Sequence, residues 1–349
     1  MKSRLMSTSI QSPFAPRPLS RGRIAAPQAP YAGAGEAGPV TCLIGVDGGG
    51  TSTRARLRNV HAPVGQAAFA EGVAGPSALG QGIGQAWRHI GQAIANAFAH
   101  AGTEPVEPAH CALGLGLSGA HHAPWRDAFL AANPGYARIA LHTDSYAALL
   151  GAHGGRPGMI VISGTGSVGE ALYADGTTAT VGGWGFPSGD EGSGASLGMR
   201  AAQVAQFALD GRGRAGPLAE AVLAVTGRSA VQLQAWCAQA RQFEYASLAP
   251  LVFEAEASDS AAAGLLVDAV QAIEADLLAL DSHGELPLVM LGSIGRRLQP
   301  RLAMWAQSRC IGPVGDPIDG ALCLAAQLLP PLVSLVPPPS TSGKAEVPT

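Results

Sequence analysis

The sequence predicts an α/β protein built from two similar lobes, and three observations support this prediction. Apolar runs of strand length end in glycine-rich turns at residues 48–53, 164–167 and 292–295. Helical periodicity fills much of the chain between them. The runs LIGVDGGGTSTRARL (43–57) and GMIVISGTGS (158–167) begin alike, with an apolar strand, a turn rich in Gly, Ser and Thr, and a returning strand. Such a repeat predicts duplicated lobes with a ligand between them.

The elements follow in a regular order. After the opening hairpin, a helical run covers 81–101 and a buried strand covers 111–120. A short strand over 137–144 ends on Asp144, and the helix SYAALLGAHG comes next. The strand in 158–167 returns through ALYADGTTATVGG as a hairpin, 260–280 is helical, 286–295 is a strand that opens into a Gly-Ser turn, and the last helix begins near 316.

Length and composition indicate a globular protein with room for two cores. The chain has 349 residues, of which 47% are hydrophobic and 13% are charged. A net charge of −3 gives no electrostatic reason to expect binding to nucleic acid or to an anionic membrane, and no apolar run approaches the length of a membrane span. Scattered cysteines without metal-ligand spacing predict reduced thiols in a cytoplasmic protein: Cys42, Cys111, Cys237, Cys310 and Cys323.

The folded body is predicted to cover about residues 41–329. Residues 1–40 are rich in Pro, Ser, Ala and basic residues and lack the apolar core of a secretory signal. We expect a disordered leader or a start codon assigned too early, with a transit peptide as the alternative. The Pro-rich segment 330–349 is expected to be a disordered tail.

The glycine-rich turns have the composition of phosphate sites. Backbone N–H groups left uncovered by glycine, with hydroxyls beside them, suit phosphate oxygens, and the carboxylate of Asp47 suits a hydrated Mg²⁺. A plain hairpin turn is the alternative for the first loop, but two further loops favour a nucleotide. We assign the first two loops to the phosphates of ATP and the third to the adenosine end, through Asp47, Gly48, Gly49, Gly50, Thr51, Ser52, Thr53, Gly164, Thr165, Gly166, Gly292 and Ser293.

Five strings in order make the chain similar to a known family: VDGGGTSTRARL, LHTDSYAALLGAH, ISGTGS, GGWGFPSGDEGSGASLGMR and VMLGSIGRRL. The chain resembles the actin-like ATPase superfamily, within it the BadF/BadG/BcrA/BcrD ATPase family, and most closely the amino-sugar kinases. The resemblance implies a two-lobed, actin-like (ribonuclease H-like) fold that uses ATP and Mg²⁺. It implies an N-terminal lobe over 41–144, to which 316–329 returns, and a C-terminal lobe over 145–315.

The resemblance also implies roles for single residues. Asp144 matches the family's general base, which accepts a proton from the sugar hydroxyl, and its alternative role is to cap the following helix. Asp190 matches a residue that binds sugar hydroxyls, again with capping as the alternative. Trp184 either stacks on the sugar or fills the core. The implied sugar-binding set is Ser118, Gly119, Asp144, Thr165, Gly183, Trp184 and Asp190.

Two departures from related N-acetylglucosamine kinases bear on the substrate. Ala78 and Val168 stand where those kinases carry Asn, so two amide side chains that hydrogen-bond the sugar are missing. A free 2-amino group is cationic and would prefer a carboxylate, whereas Trp184 is associated with the N-acetyl branch. The carboxylates at hand are Glu170, Asp190 and Glu191.

We therefore expect phosphorylation of glucosamine to glucosamine 6-phosphate, with N-acetylglucosamine as the alternative substrate. An iron–sulfur ATPase that activates a partner enzyme ranks lower because the chain has no suitable cysteine pair. A transcriptional sugar sensor ranks last because the leader is too short for a helix-turn-helix. The expected partners are the amino sugar and ATP, with no nucleic acid or membrane, and a homodimer is left open.

Overall fold

The computed structural model describes residues 31–32, 39–60 and 70–329, which form two α/β lobes, each with one sheet. Tyr31–Ala32 and residues 39–40 belong to the stretch expected to be a leader, and the rest of that stretch lies outside the described residues. The expected tail, 330–349, lies outside them as well.

The first lobe contains a six-stranded sheet in the order β1-β6-β5-β2-β3-β4. Its strands are β1 (Tyr31–Ala32), β2 (Cys42–Gly48), β3 (Thr53–Asn59), β4 (Ala70–Ala74), β5 (Cys111–Leu117) and β6 (Arg138–His142). Strands β2, β5 and β6 run parallel, while β3 and β4 form an antiparallel extension. Two helices accompany them, α1 (Ile83–Ala101) and α2 (Ala123–Ala131), and α1 buries its apolar side against β3 and β4.

The second lobe contains a four-stranded sheet in the order β10-β7-β8-β9, with helices packed beside it. The strands are β7 (Gly158–Ser163), β8 (Ser167–Leu172), β9 (Thr178–Gly182) and β10 (Leu288–Leu291). Most helices of this lobe lie between β9 and β10 in the chain: α4 (Gly194–Leu209), α5 (Pro217–Thr226), α6 (Ala230–Gln239), α7 (Gln242–Ala246), α8 (Ala249–Ala255) and α9 (Ser260–Leu280). After β10 come α10 (Ser293–Leu298) and α11 (Met304–Gln307).

The two sheets repeat one arrangement. In each, an opening strand turns back into an antiparallel three-stranded meander, β2-β3-β4 and β7-β8-β9, and a parallel strand lies on its other side, β5 and β10. The similarity of the two glycine-containing runs therefore corresponds to a structural repeat.

Two helices pack against each other at the junction of the lobes, α3 (Asp144–His153) and α12 (Pro317–Gln327). Helix α12 packs on β2, β5 and α3, and α3 reaches β7 and β8 of the other sheet. Glycine permits this close approach, because a Cβ at Gly320 would lie 1.8 Å from the carbonyl oxygen of Ala147, and one at Gly151 would lie 1.9 Å from that of Asp316. Side chains such as Leu149, which is fully buried, fill the space between the sheets.

Within the described residues, no helix has the length and apolarity needed to cross a bilayer. All five cysteines are free thiols. Cys42 and Cys111, distant in sequence, are paired across β2 and β5 and are both buried.

Candidate active site

The parallel strands of the first lobe end together at the edge of a large cleft. In the strand register, Asp47 of β2 and His142 of β6 both lie opposite Gly116 of β5. The residues that follow these strands therefore meet at one edge, as expected for the carboxyl ends of parallel strands. The cleft has a volume of about 1250 Å³ and is lined by residues of both lobes.

The first glycine-rich loop is held by backbone hydrogen bonds. The N–H of Gly49 donates to Ser52 at 3.0 Å, and the carbonyl of Gly49 accepts from Ser77 at 3.0 Å. The carbonyl of Gly48 accepts from Ser118 at 3.0 Å, which ties the loop to the end of β5. The loop is thus fixed at the cleft edge, and the members that line the cleft are Asp47, Gly50 and Thr51.

Thr53, expected to bind phosphate, faces the protein interior. Its side chain is fully buried, and its hydroxyl lies 2.6 Å from the carbonyl oxygen of Gly75 and 2.7 Å from the hydroxyl of Ser77. Ser52 is exposed and lies outside the cleft lining. In this conformation Thr53 fastens the loop to the following segment and is not positioned to contact a phosphate.

Asp47 forms an ion pair on one side. Arg54 donates to its Oδ2 at 2.8 Å, and the same guanidinium lies 3.7 Å from Asp316. No cluster of three or more His, Cys, Asp or Glu suited to a metal occurs in the described part of the chain. A single carboxylate beside the uncovered amides of a glycine-rich loop fits Mg²⁺, which prefers oxygen ligands and keeps several of its waters.

The second loop, Gly164–Gly166, joins β7 to β8 and is held by the start of α4. The N–H of Gly194 donates to the carbonyl of Gly164 at 2.8 Å, and the N–H of Ala195 donates to that of Thr165 at 3.1 Å. These bonds leave the side chain of Thr165 exposed at the cleft. The structure therefore brings the first and second loops to one cleft from opposite lobes.

The third loop borders a smaller cavity of about 160 Å³. Gly164 and Thr165 line both this cavity and the large cleft. Gly292 has φ +82°, and a Cβ there would lie 2.1 Å from the carbonyl oxygen of Ser163, so only glycine fits. Ser293 begins α10 and lines the cavity, and Phe243, 72% exposed, lines it from α7. One ligand can therefore extend from the cleft past Thr165 toward Ser293.

Asp144 is the first residue of α3, and it does not cap this helix. The cap is Thr143, whose hydroxyl oxygen accepts from the N–H of Tyr146 at 3.2 Å. Asp144 accepts from the N–H of Ser145 at 3.0 Å and lines the cleft. Burial raises the pKa of its carboxyl above the ordinary value, and the negative charge of Asp47 adds to this effect. The capping alternative is wrong, and the carboxylate is available to a ligand.

Asp190 is also free of the capping role, which Ser193 takes for α4. Asp190 is 4% exposed, and its backbone has φ +66°, a conformation that is uncommon for a residue with a side chain. Gln242 donates to its Oδ2 at 2.7 Å, and the N–H of Ser167 donates to its Oδ1 at 3.3 Å. These contacts fix the carboxylate at the cleft, and burial raises its pKa.

The remaining sugar-binding candidates divide into two groups. Ser118, Gly119 and Gly183 line the cleft. Trp184 does not, because its side chain is 86% exposed and lies outside the cleft lining. It therefore neither fills the core nor faces the cleft in this conformation.

Sequence reasoning missed Gln242 and His142. Gln242 reaches the site from α7 and is 52 positions from Asp190 in the sequence. No local sequence pattern predicts a contact over this separation. His142 lines the cleft beside Asp144, and burial lowers its pKa to about 4, so its ring is neutral near pH 7.

Comparison with known proteins agrees with this architecture. A model of the BadF/BadG/BcrA/BcrD ATPase family matches residues 44–314. The chain belongs to this family. The predicted family and the predicted two-lobed, actin-like fold are therefore confirmed.

Three proteins similar to this chain are amino-sugar kinases by name. The glucosamine kinase GspK of Vibrio cholerae is 36% identical over 286 residues, which are 81% of this chain and 95% of that protein. A crystal structure from Chromobacterium violaceum, provisionally named an N-acetylglucosamine kinase, is 46% identical, with a TM-score of 0.75 over 82% of this chain and 99% of its own. The N-acetylmuramic acid/N-acetylglucosamine kinase of Clostridium acetobutylicum is 31% identical over 175 residues, 49% of this chain and 55% of that protein.

Proposed function

We propose that this chain transfers the γ-phosphoryl group of ATP to the 6-hydroxyl of glucosamine. One observation carries the proposal. The carboxylate of Asp144, which does not cap a helix, lies in the same cleft as two glycine-rich loops that approach from opposite lobes. Phosphoryl transfer needs positioning, charge stabilisation and a base for the attacking hydroxyl, and this arrangement offers all three.

The nucleotide extends from the large cleft to the smaller cavity, past the residues that line both. Its adenosine end occupies the smaller cavity at Ser293, and its phosphates pass Thr165 and reach the first loop at Gly50. Backbone N–H groups of both loops donate to phosphate oxygens. Asp47 would hold a hydrated Mg²⁺, which would supply positive charge beside the phosphates.

The sugar lies between Asp144 and Asp190. Asp190, fixed by Gln242, accepts hydrogen bonds from sugar hydroxyls, while Ser118 and Gly119 border the ring. Asp144 accepts the proton of the 6-hydroxyl as its oxygen attacks the γ-phosphorus. Closure of the lobes about α3 and α12 excludes water, so that the phosphoryl group passes to the sugar instead of to water.

Four observations bear on the choice between amino sugars. The name of the Vibrio cholerae relative and the apolar Val168 in the cleft favour glucosamine. The names of the Chromobacterium violaceum and Clostridium acetobutylicum relatives favour N-acetylglucosamine as the second candidate.

An ADP-release assay with the purified chain, MgATP and either sugar tests the proposal. We expect turnover with a higher kcat/KM for glucosamine, and phosphorus NMR should place the product phosphate on carbon 6. A higher kcat/KM for N-acetylglucosamine would select the second candidate. Inertness toward both sugars would reject the kinase proposal.

A further inference from the structure

Glu170 is a buried carboxylate that has no role in the proposed phosphoryl transfer. It is 4% exposed, lies on β8 and lines the cleft. The hydroxyl of Ser145 donates to its Oε1 at 2.6 Å, and that of Thr180 donates to its Oε2 at 3.3 Å. No cationic side chain of the described residues forms an ion pair with it.

The lack of a cation distinguishes Glu170 from another buried carboxylate of the same lobe. Asp281 is 8% exposed and is paired with Arg309. A buried charge is costly unless it is paired, and the group otherwise takes up a proton. Burial, and to a lesser degree the negative charge of Asp144, raise the pKa of Glu170 to about 7. The site therefore holds a carboxyl group that a cation would ionise.

The strand pattern places Glu170 where a sugar substituent can reach it. Residues two apart on a strand share a face, and Val168 and Glu170 both line the cleft. Their antiparallel partners on β9, Gly182 and Thr180, line it too. Across from Glu170, Ser145 directly follows the proposed base Asp144.

The other two carboxylates near the cleft are less suited to a cation. Asp190 already accepts from two nitrogen donors, the side chain of Gln242 and the backbone N–H of Ser167, and that backbone N–H cannot accept from an ammonium. Glu191 is exposed to solvent, where an ion pair contributes little. The donors to Glu170 are hydroxyls, which can rotate and accept from an incoming ammonium.

We propose that Glu170 binds the 2-ammonium group of the amino sugar and so sets the preference for glucosamine over N-acetylglucosamine. This inference rests on the proposed function. The ammonium N–H groups donate to the carboxylate and to the hydroxyl oxygens of Ser145 and Thr180. A neutral 2-acetamido or 2-hydroxyl group supplies no charge to the buried carboxylate, so the discrimination comes from one ion pair at a buried group.

Calorimetric titration with glucosamine, N-acetylglucosamine and glucose tests the proposal in three proteins: wild type, E170Q and E191Q. We expect E170Q to raise the Kd of glucosamine about 10- to 100-fold, the range for losing a hydrogen bond to a charged group, and to leave the Kd of glucose unchanged. E191Q makes the same chemical change at an exposed position and should alter none of the three values.

An equal weakening of all three sugars by E170Q, or a selective loss in E191Q, would overturn the inference. Wild-type protein that binds glucosamine selectively without releasing ADP would reject the proposed kinase reaction and leave the assignment of Glu170 standing. Wild-type protein that binds no sugar would reject both.

A measurement on wild-type protein decides the matter if E170Q fails to fold. At about pH 6, below the pKa of Glu170, docking of the ammonium should release nearly one proton, seen as a dependence of the binding enthalpy on the buffer. Asp144, Tyr146, His142 and Asp190, which are close to Glu170 or line the same cleft, can also exchange protons when a sugar binds. N-acetylglucosamine controls for these groups because it offers the same hydroxyls without the ammonium. Equal proton release with the two sugars would contradict the inference.

Discussion

Replacing the proposed base by its amide, D144N, isolates proton transfer from folding and binding. Asparagine keeps an oxygen that can accept from the N–H of Ser145, and Thr143 caps α3 independently, so the helix should form as before. Loss of a general base costs about 10²- to 10⁴-fold in rate, which is roughly 3–5 kcal/mol of transition-state stabilisation. We therefore expect kcat in the ADP-release assay to fall by that factor, while the Kd of glucosamine stays close to that of wild type.

The matched control is D268N, which removes a carboxylate from an exposed ion pair with Arg200. A surface pair of this kind contributes at most about 1 kcal/mol, so kcat should not change. A D144N variant that retains wild-type kcat would refute the role of Asp144 as base. So would a variant that loses glucosamine binding together with activity, because that result would assign Asp144 to binding alone.

Three further predictions concern the loops and the buried carboxylate. T165A should raise the KM for ATP about 10- to 100-fold because a hydrogen bond to phosphate is lost. The unfolding midpoint should not change. An unchanged KM would show that Thr165 does not bind phosphate. G48A should lower the free energy of unfolding by about 1–3 kcal/mol in urea, because its Cβ would lie 2.1 Å from the hydroxyl of Ser77, whereas G84A, with open space in α1, should not lower it. Since the folded-state pKa of Glu170 is raised from 4.5 to about 7, the folded chain holds the extra proton and wild-type stability should fall as pH rises through that window. E170Q should lack this loss, up to about 3 kcal/mol, and parallel pH profiles of unfolding for the two proteins would contradict the assignment.

Much of the fold could be predicted from local patterns. Apolar runs that end in glycine and hydroxyl residues predicted strands, and helical spacing predicted the helix over 260–280 that the structure has as α9. The similar openings at 43–57 and 158–167 indicated the repeat of the two sheets. These features depend on residues close together in the sequence, and such patterns are the most readily interpreted.

The orientation of single side chains was harder to predict. Thr53 has the composition of a phosphate ligand, but strand alternation turns it inward onto Gly75. Trp184 has the chemistry of a sugar platform, yet the loop holds it in solvent. Gln242 was missed because its contact with Asp190 joins distant parts of the chain.

Glu170 was foreseen only as one of three carboxylates. Its strand position, two residues after Val168, was the available signal for a place on the same face. Its lack of a cationic partner depends on every neighbouring element, and sequence alone does not specify those neighbours.

A crystal structure of the chain with ADP, Mg²⁺ and glucosamine tests the central claim most directly. We predict that the phosphates lie between the loops at Gly50 and Thr165, with the 6-hydroxyl of the sugar within hydrogen-bond distance of the Asp144 carboxylate. A nucleotide bound outside this cleft, or a sugar whose 6-hydroxyl points away from Asp144, would contradict the account.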